Sequence, residues 1–342
     1  MNDTANHGPQ PGASTSRDTS APATHENRVC IIGLGHVGMA SAYALIQSSF
    51  IRELVLVGRS PERTEGEVMD LQHAVSVPMK PPIKVIHGSY ADAAESSIVV
   101  VTAGAATSDP DTSRLELLGR NAAIVRDIAG KLRTEGFKGV LIVATNPVDV
   151  LAHIAQEASG LPASQVIGTG TLIDTARLRG LLGEELGVEP RAVDAYIIGE
   201  HGDSEIAVWS GARVAGVKLS NYPGARSLPD YGDLLDQVRR AAPEVVRRKG
   251  HTAYAIGLCV QRICEAVLRN ERAVLAVSAL LNGEYGIEDV YLGTPCVVGK
   301  NGVERVIELE LDAEEREGVQ ASADALRTAR QSLADRPDAQ AG

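Results

Sequence analysis

The chain has 342 residues, 44% of them hydrophobic and 23% charged, with a net charge of -11. That length and balance fit a globular protein with a large core divided between two lobes. The acidic charge, with no basic cluster beyond Arg247-Arg248-Lys249, argues against a nucleic-acid surface, and no apolar run reaches membrane-spanning length.

Residues 1–27 are rich in Asn, Thr, Ser, Pro, Gly and Ala and read as a disordered tail, and residues 334–342 as a flexible C-terminus. The N-terminus lacks the hydrophobic core of a signal peptide, and the four cysteines (Cys30, Cys259, Cys264, Cys296) lie in apolar contexts without C-x-x-C spacing. They read as buried reduced thiols, so the cytoplasm is the expected compartment.

Order begins with a strand, Arg28 to Ile32, that runs into Gly33-Leu34-Gly35-His36-Val37-Gly38 and a helix from Met39 to Gln47. Strand, G-x-G-x-x-G, helix is the context of a dinucleotide site, in which glycines bring a pyrophosphate close to the helix N-terminus. His36 occupies a variable position of the motif and is read as incidental to the chemistry. The second strand is Glu53 to Val57. An NAD site places an acidic residue at the far end of this strand to hold the ribose hydroxyls. Glu53 stands at the wrong end, and Gly58-Arg59-Ser60 stands at the right one. A cation and a hydroxyl there favour a 2′-phosphate, so NADPH is expected to be accepted as well as NADH. The alternative is an Arg59 that stacks on adenine or faces solvent, with NAD still used.

A helix (Glu62 to His73), a strand (Ile83 to His87) and a strand (Ser97 to Thr102) follow. The last ends in Ala103-Gly104-Ala105, small residues that suit passage of a cofactor. The polar segment 106–113 reads as a mobile loop that delivers Arg114 to a helix from Leu115 to Leu132. The strand Val140 to Ala144 leads to Thr145-Asn146-Pro147-Val148-Asp149 and another helix. Alternation of strands and helices predicts an α/β, doubly wound parallel sheet over residues 28–169. Residues 170–333 read as a second, α+β domain. Its strands are expected at 194–198, 207–209, 297–299 and 303–308, and its helices at 233–268, broken near Gly250, and 313–333. No Cys/His/carboxylate cluster has metal-ligand spacing.

Two stretches in the second half carry chemistry. Asp174 and Arg177 are three apart and share a helix face, with apolar flanks unlike those of a surface ion pair. In Gly199-Glu200-His201-Gly202-Asp203-Ser204-Glu205, one histidine sits between glycines among carboxylates, a candidate general acid/base.

With Val143-Ala144-Thr145-Asn146-Pro147-Val148-Asp149, Asp174-Thr175-Ala176-Arg177 and Lys249-Gly250-His251-Thr252 added to the two glycine-bearing motifs, the chain resembles the L-lactate/malate dehydrogenase family over about residues 28–333. It is closer to the L-lactate dehydrogenase branch. The resemblance implies a Rossmann fold with a catalytic domain, and an NAD- or NADP-dependent oxidoreductase acting on a small 2-oxo acid. The family usually forms dimers or tetramers. By the same resemblance His201 donates the proton, Asp174 orients it, Arg177 binds the substrate carboxylate and Arg114 polarises the carbonyl. Asn146 meets the reacting oxygen, and Thr252 and Thr107 border the substrate side chain. The implied cofactor contacts are Gly33, Gly35, Val37, Gly38, Arg59, Ser60, Tyr90, Gly104, Ala105, Ala144 and Asn146.

Departures from the family pattern shape three further expectations. The substrate-selecting loop position holds Thr107 or Ser108 in place of glutamine or arginine, and Asp109 and Asp111 would repel a second carboxylate, which disfavours malate. Pyruvate/lactate is the default pair, and a longer or branched 2-oxo acid is the alternative. Asp194 stands where relatives activated by fructose 1,6-bisphosphate carry a histidine beside the arginine matched by Arg179, so no such activation is expected. A catalytically idle dinucleotide sensor would have lost His201, Asp174, Arg177 or Arg114, and all four are present.

Overall fold

The computed structural model describes residues 27–77, 83–105 and 114–334. The expected tail at 1–27 lies outside them apart from Asn27, and the expected C-terminus apart from its first residue. In chain order come β1 (Arg28–Ile32), α1 (His36–Ile46), β2 (Glu53–Val57), α2 (Pro61–Ser76), β3 (Lys84–His87), α3 (Tyr90–Ala94), β4 (Ile98–Val101), α4 (Arg114–Thr134), β5 (Val140–Val143), α5 (Val148–Ser159) and β6 (Val166–Gly168). All six strands pair in parallel, in the order β3-β2-β1-β4-β5-β6. β1, β4 and β5 are buried along their whole length, which is why they read as unbroken apolar runs: helices cover both faces of the sheet. The strand order reverses between β1 and β4, and ligands of such sheets bind at the carboxyl ends beside that reversal.

The later chain comprises α6 (Leu172–Leu186), β7 (Val193–Asp194), β8 (Ile197–Ile198), β9 (Ile206–Ala207), β10 (Arg213–Val214), β11 (Val217–Lys218), α7 (Tyr231–Lys249), α8 (Tyr254–Leu268), β12 (Ala273–Asn282), β13 (Glu288–Gly299), β14 (Gly302–Val306) and α9 (Ala313–Ala334). The break at Gly250 is present; this residue ends α7 with φ +85°. The strand expected at 194–198 is two short strands, β7 and β8, in different sheets.

The larger correction concerns β12 and β13. These long antiparallel strands do not form part of a separate sheet. β12 bridges to β6 at Ser278–Gly168, and β12, β13 and β14 extend the parallel sheet to nine strands. β12 is apolar apart from Ser278 and Asn282, a run that periodicity does not distinguish from a buried helix. β13 contains Pro295, which argues against a strand in a sequence reading, yet its carbonyl still accepts from Ile307 N at 2.8 Å. A third apolar cluster, built on Leu178, Leu182, Val193, Ile197 and Val238, packs α6 and α7 over the small sheets. Among the described residues, no helix is long and apolar enough to cross a membrane.

Candidate active site

The glycine-rich turn follows β1 at the reversal point of the sheet. Gly33 has φ +106°, and a Cβ there would lie 2.4 Å from Ala103 N. A Cβ on Gly38 would lie 2.0 Å from Gly33 O. These two glycines are demanded by packing of the turn against β4 and α1. Gly35 differs, because a Cβ there meets nothing within 4 Å. Gly35 is the N-cap of α1 and makes no side-chain cap, so the first N–H groups of α1 face open space. Such a helix N-terminus is a ready anion site, and the cradle fits a dinucleotide pyrophosphate. Thr102 Oγ1 donates to Gly33 O at 2.5 Å and pins the turn to the end of β4.

At the end of β2, Arg59 and Ser60 are exposed. Ser60 caps α2, accepting from Arg63 N at 3.4 Å, and Arg63 itself donates to Leu34 O at 3.2 Å. A second cation therefore reaches back to the glycine-rich turn. Glu53, at the opposite end of the strand, is held by Arg28 (2.7 Å) and Lys84 (3.2 Å). Burial raises its carboxyl, but these two cations outweigh it and hold it below the ordinary carboxylate range. It is a structural ion-pair partner at the end of the strand away from the glycine-rich turn.

Gly104 and Ala105 leave β4 toward α4, where buried Asn121 ties two loops together. Its Oδ1 accepts from Ala105 N at 2.7 Å, and its Nδ2 donates to Asn146 O at 2.8 Å. Nothing in the sequence singled out Asn121; only the fold shows that it sets the spacing of both loops. The Asn146 side chain is exposed, and Ala144 N donates to Val101 O within the sheet. Val37 belongs to the first turn of α1. Tyr90 opens α3, packs against the core and lies under Lys131 Nζ, 5.3 Å from its ring centre. Thr107, Ser108, Asp109 and Asp111 lie outside the described residues. Arg114 is the first residue of α4, and its side chain also lies outside them.

Asp174 sits in the first turn of α6, where the helix dipole favours a carboxylate, and it is 1% exposed. Its Oδ1 accepts from Arg177 Nη1 at 2.8 Å, and its Oδ2 meets His201 Nδ1 at 2.6 Å. The packing of α6 on β8, where Thr171 Oγ1 donates to Ile197 O, thus brings together residues 27 apart in sequence. The His201 backbone is fixed as well: its N–H donates to Asp149 Oδ2 at 2.9 Å, and the preceding Gly199 (φ +102°) pairs with Gly293 in both directions at 2.9 Å. Burial pulls the proton affinity of His201 down. The charge and hydrogen bond of Asp174, joined by Asp149 and Glu205, outweigh it and push His201 up to about 9. At neutral pH the site holds an imidazolium, clamped by the Asp174 carboxylate with Asp149 behind it, beside a guanidinium. That arrangement can bind an anionic group and deliver a proton next to it.

Thr252, half-buried, lies in the connection between α7 and α8. His251 beside it stacks on His36, with centroids 3.7 Å apart and an interplanar angle of 9°, which seats this connection against the glycine-rich turn. Asp149 and Glu205 were present in the quoted motifs, but their closeness to His201 came only with the fold.

Two family models match in sequence: the lactate/malate dehydrogenase NAD binding domain over residues 27–168, and its alpha/beta C-terminal domain over 171–335. The chain belongs to the lactate/malate dehydrogenase family. Within that family it is 43% identical to an L-lactate dehydrogenase of Priestia megaterium over 306 residues, covering 89% of this chain and 95% of the relative. It is 46% identical to one of Synechococcus sp. (strain JA-3-3Ab) over 297 residues, covering 87% and 96%. The crystal structure of the minor L-lactate dehydrogenase from Enterococcus mundtii in its ligands-bound form superposes with a TM-score of 0.86 at 40% identity, covering 90% of this chain and 98% of that one. MGS-M5, a lactate dehydrogenase from a deep-sea metagenome library, gives 0.85 at 39% identity, covering 90% and 99%.

Proposed function

We propose that this chain is an L-lactate dehydrogenase that interconverts a 2-oxo acid and its L-2-hydroxy acid, with pyruvate and lactate as the default pair. The observation that carries the reading is the contiguous Arg177–Asp174–His201 array, with distances of 2.8 and 2.6 Å. Arg177 presents a fork to the substrate carboxylate, a geometry lysine lacks. His201 gives its proton to the ketone oxygen, and Asp174 holds the imidazole and stabilises its charged form. Asn146 and Arg114 act on the same oxygen, and Thr252 and Thr107 border the substrate side chain. The bound nicotinamide supplies or accepts the hydride.

The cofactor contacts are assigned to Gly33, Gly35, Val37, Gly38, Arg59, Ser60, Tyr90, Gly104, Ala105, Ala144 and Asn146. NADPH is proposed to be accepted beside NADH, on the strength of Gly58-Arg59-Ser60 and the nearby Arg63. Residues 28–169 form the dinucleotide-binding half and 170–333 the catalytic half. Four buried free thiols suit a reducing compartment, and the cytoplasm is proposed. Tyr43 on α1 and Tyr254 and Leu258 on α8 are 56%, 75% and 59% exposed, and these neighbouring helices are proposed to pair with another copy of the chain.

The test is the initial rate of NADH and NADPH oxidation with pyruvate, 2-oxobutyrate, 2-oxoisocaproate, phenylpyruvate and oxaloacetate. The reading predicts pyruvate first and oxaloacetate last. A bulkier acid in first place would move the assignment to a longer-chain 2-hydroxy-acid dehydrogenase, and oxaloacetate in first place would overturn it. A tenfold or greater preference for NADH would remove the NADPH proposal.

A further inference from the structure

A second carboxyl lies beside the catalytic pair. Glu205 follows the His201 turn and leads into β9. It is 2% exposed, and its Oε1 is buried with no hydrogen-bond partner. Asp174, His201 and Glu205 each offer an oxygen or ring nitrogen within 4.8 Å of the other two. The charged groups that act on it come from three segments. α6 brings Asp174 and Arg177, α7 brings Arg239, and the turn itself brings His201. Arg239 Nη2 donates to the Glu205 carbonyl oxygen, not to its carboxyl, and Arg239 Nε is also buried without a partner. An unpaired carboxylate in such a place is costly, so burial favours the neutral acid above the ordinary carboxylate range.

We propose that Glu205 is a charge-setting residue for His201: a buried carboxyl within 4.8 Å of the ring that, once ionised, keeps the proton on the imidazole. The proposal rests on His201 being the proton donor. Burial, with Asp174 adding to it, pushes Glu205 well above the ordinary carboxylate range, against the pull of His201, Arg239 and Arg177, while against burial Asp174 chiefly pushes His201 above the ordinary imidazole range. Before Glu205 ionises, Asp174 and the buried Asp149 hold the imidazolium. As the pH rises Glu205 loses its proton, a further negative charge appears beside the ring, and loss of the His201 proton is deferred. Reduction of the 2-oxo acid needs the protonated ring, so Glu205 extends that direction to higher pH. Oxidation needs the neutral ring, so Glu205 holds it back.

The experiment is kcat/KM for pyruvate reduction from pH 6 to 10.5 at saturating NADH, on wild type, Glu205→Gln, Glu205→Asp and His201→Asn. Glutamine imitates the neutral acid and cannot ionise. Below pH 7 its rate is expected within about threefold of wild type, with its alkaline limb displaced downward by about one pH unit. Aspartate keeps a carboxyl and is expected between the two. The limb position does not depend on how much enzyme is folded, so partial loss of protein does not mimic the effect. A Glu205→Gln limb coincident with wild type, while His201→Asn is inactive, overturns the role of Glu205 alone. An active His201→Asn overturns the assignment of the proton donor, and the proposal with it. One measurement needs no variant: the wild-type His201 imidazole, followed by NMR, is expected to titrate in two steps because the groups interact. A single one-proton curve overturns the proposal.

Discussion

At the scale of single residues, the site is an exercise in charge held out of water. Asp174 accepts from Arg177 on one oxygen and meets His201 on the other, so removing its charge disturbs two cations at once. In Asp174→Asn the chief cause that raises His201 is gone, and burial then pulls its proton affinity down. Reduction at pH 8 is expected to fall about 10²–10³-fold, with the alkaline limb moving toward neutrality, measured as kcat/KM against pH. The linkage has a definite sign. A histidine raised from 6.5 to about 9 adds stability that is fully present below pH 6.5 and lost as pH rises through 9. Wild type is therefore expected to lose more thermal stability than His201→Asn between pH 7 and 10. Arg59 supplies a separate residue-scale test. It is exposed, so its loss leaves the fold alone; Arg59→Ala is expected to raise KM for NADPH about tenfold and to leave KM for NADH within about twofold.

At the scale of elements, the turn between β1 and α1 shows how identical residues serve different ends. Gly38 has no room for a methyl group, with Gly33 O 2.0 Å from where its Cβ would lie, whereas Gly35 faces open space. Gly38→Ala is expected to cost about 3 kcal/mol or more of stability, read as a fall in Tm. Gly35→Ala is expected to keep its Tm and to raise KM for either cofactor about tenfold or more, because its methyl group takes the place of the pyrophosphate. The contrast follows the division of roles in the G-x-G-x-x-G pattern, the middle glycine for approach of the pyrophosphate and the last for close packing. Gly58 presents a related case. A Cβ there would lie 2.3 Å from Thr64 Oγ1, so packing of α2 against β2, as well as charge, accounts for the missing acidic residue.

At the scale of the whole molecule, two surfaces bear on assembly and control. Tyr254, Leu258 and Tyr43 expose apolar area on two helices packed side by side. Sedimentation is expected to give a dimer or tetramer, and Leu258→Glu to shift it toward monomer. Elsewhere Arg179 is fully engaged. It donates to Ala195 O at 2.9 Å, lies 3.6 Å from Asp194 Oδ1 and covers the Tyr196 ring. Asp194 both occupies this cation and repels phosphate. Fructose 1,6-bisphosphate is expected to leave the apparent KM for pyruvate unchanged within about twofold, a result read from saturation curves with and without the effector.

Local order is what the sequence determined. The βαβ alternation, the glycine turn, the break at Gly250 and the pairing of Asp174 with Arg177 are all written in short stretches with their own periodicity or spacing, whereas His201 was joined to that pair only by the family resemblance. The structure decided what distant stretches do to one another. β12 and β13 join the parallel sheet because an apolar strand completes its hydrogen bonds wherever an edge is free, and no local pattern names that edge. Asn121 spaces two loops, Asp149 fixes the His201 backbone, and Glu205 stands beside the catalytic pair, because the packing of sheet and helices sets distances between residues remote in sequence. A carboxylate in a sequence has an ordinary pKa. Only the burial of its oxygens, and the charges that packing places around them, makes it an orienting base, a structural partner or a proton reserve.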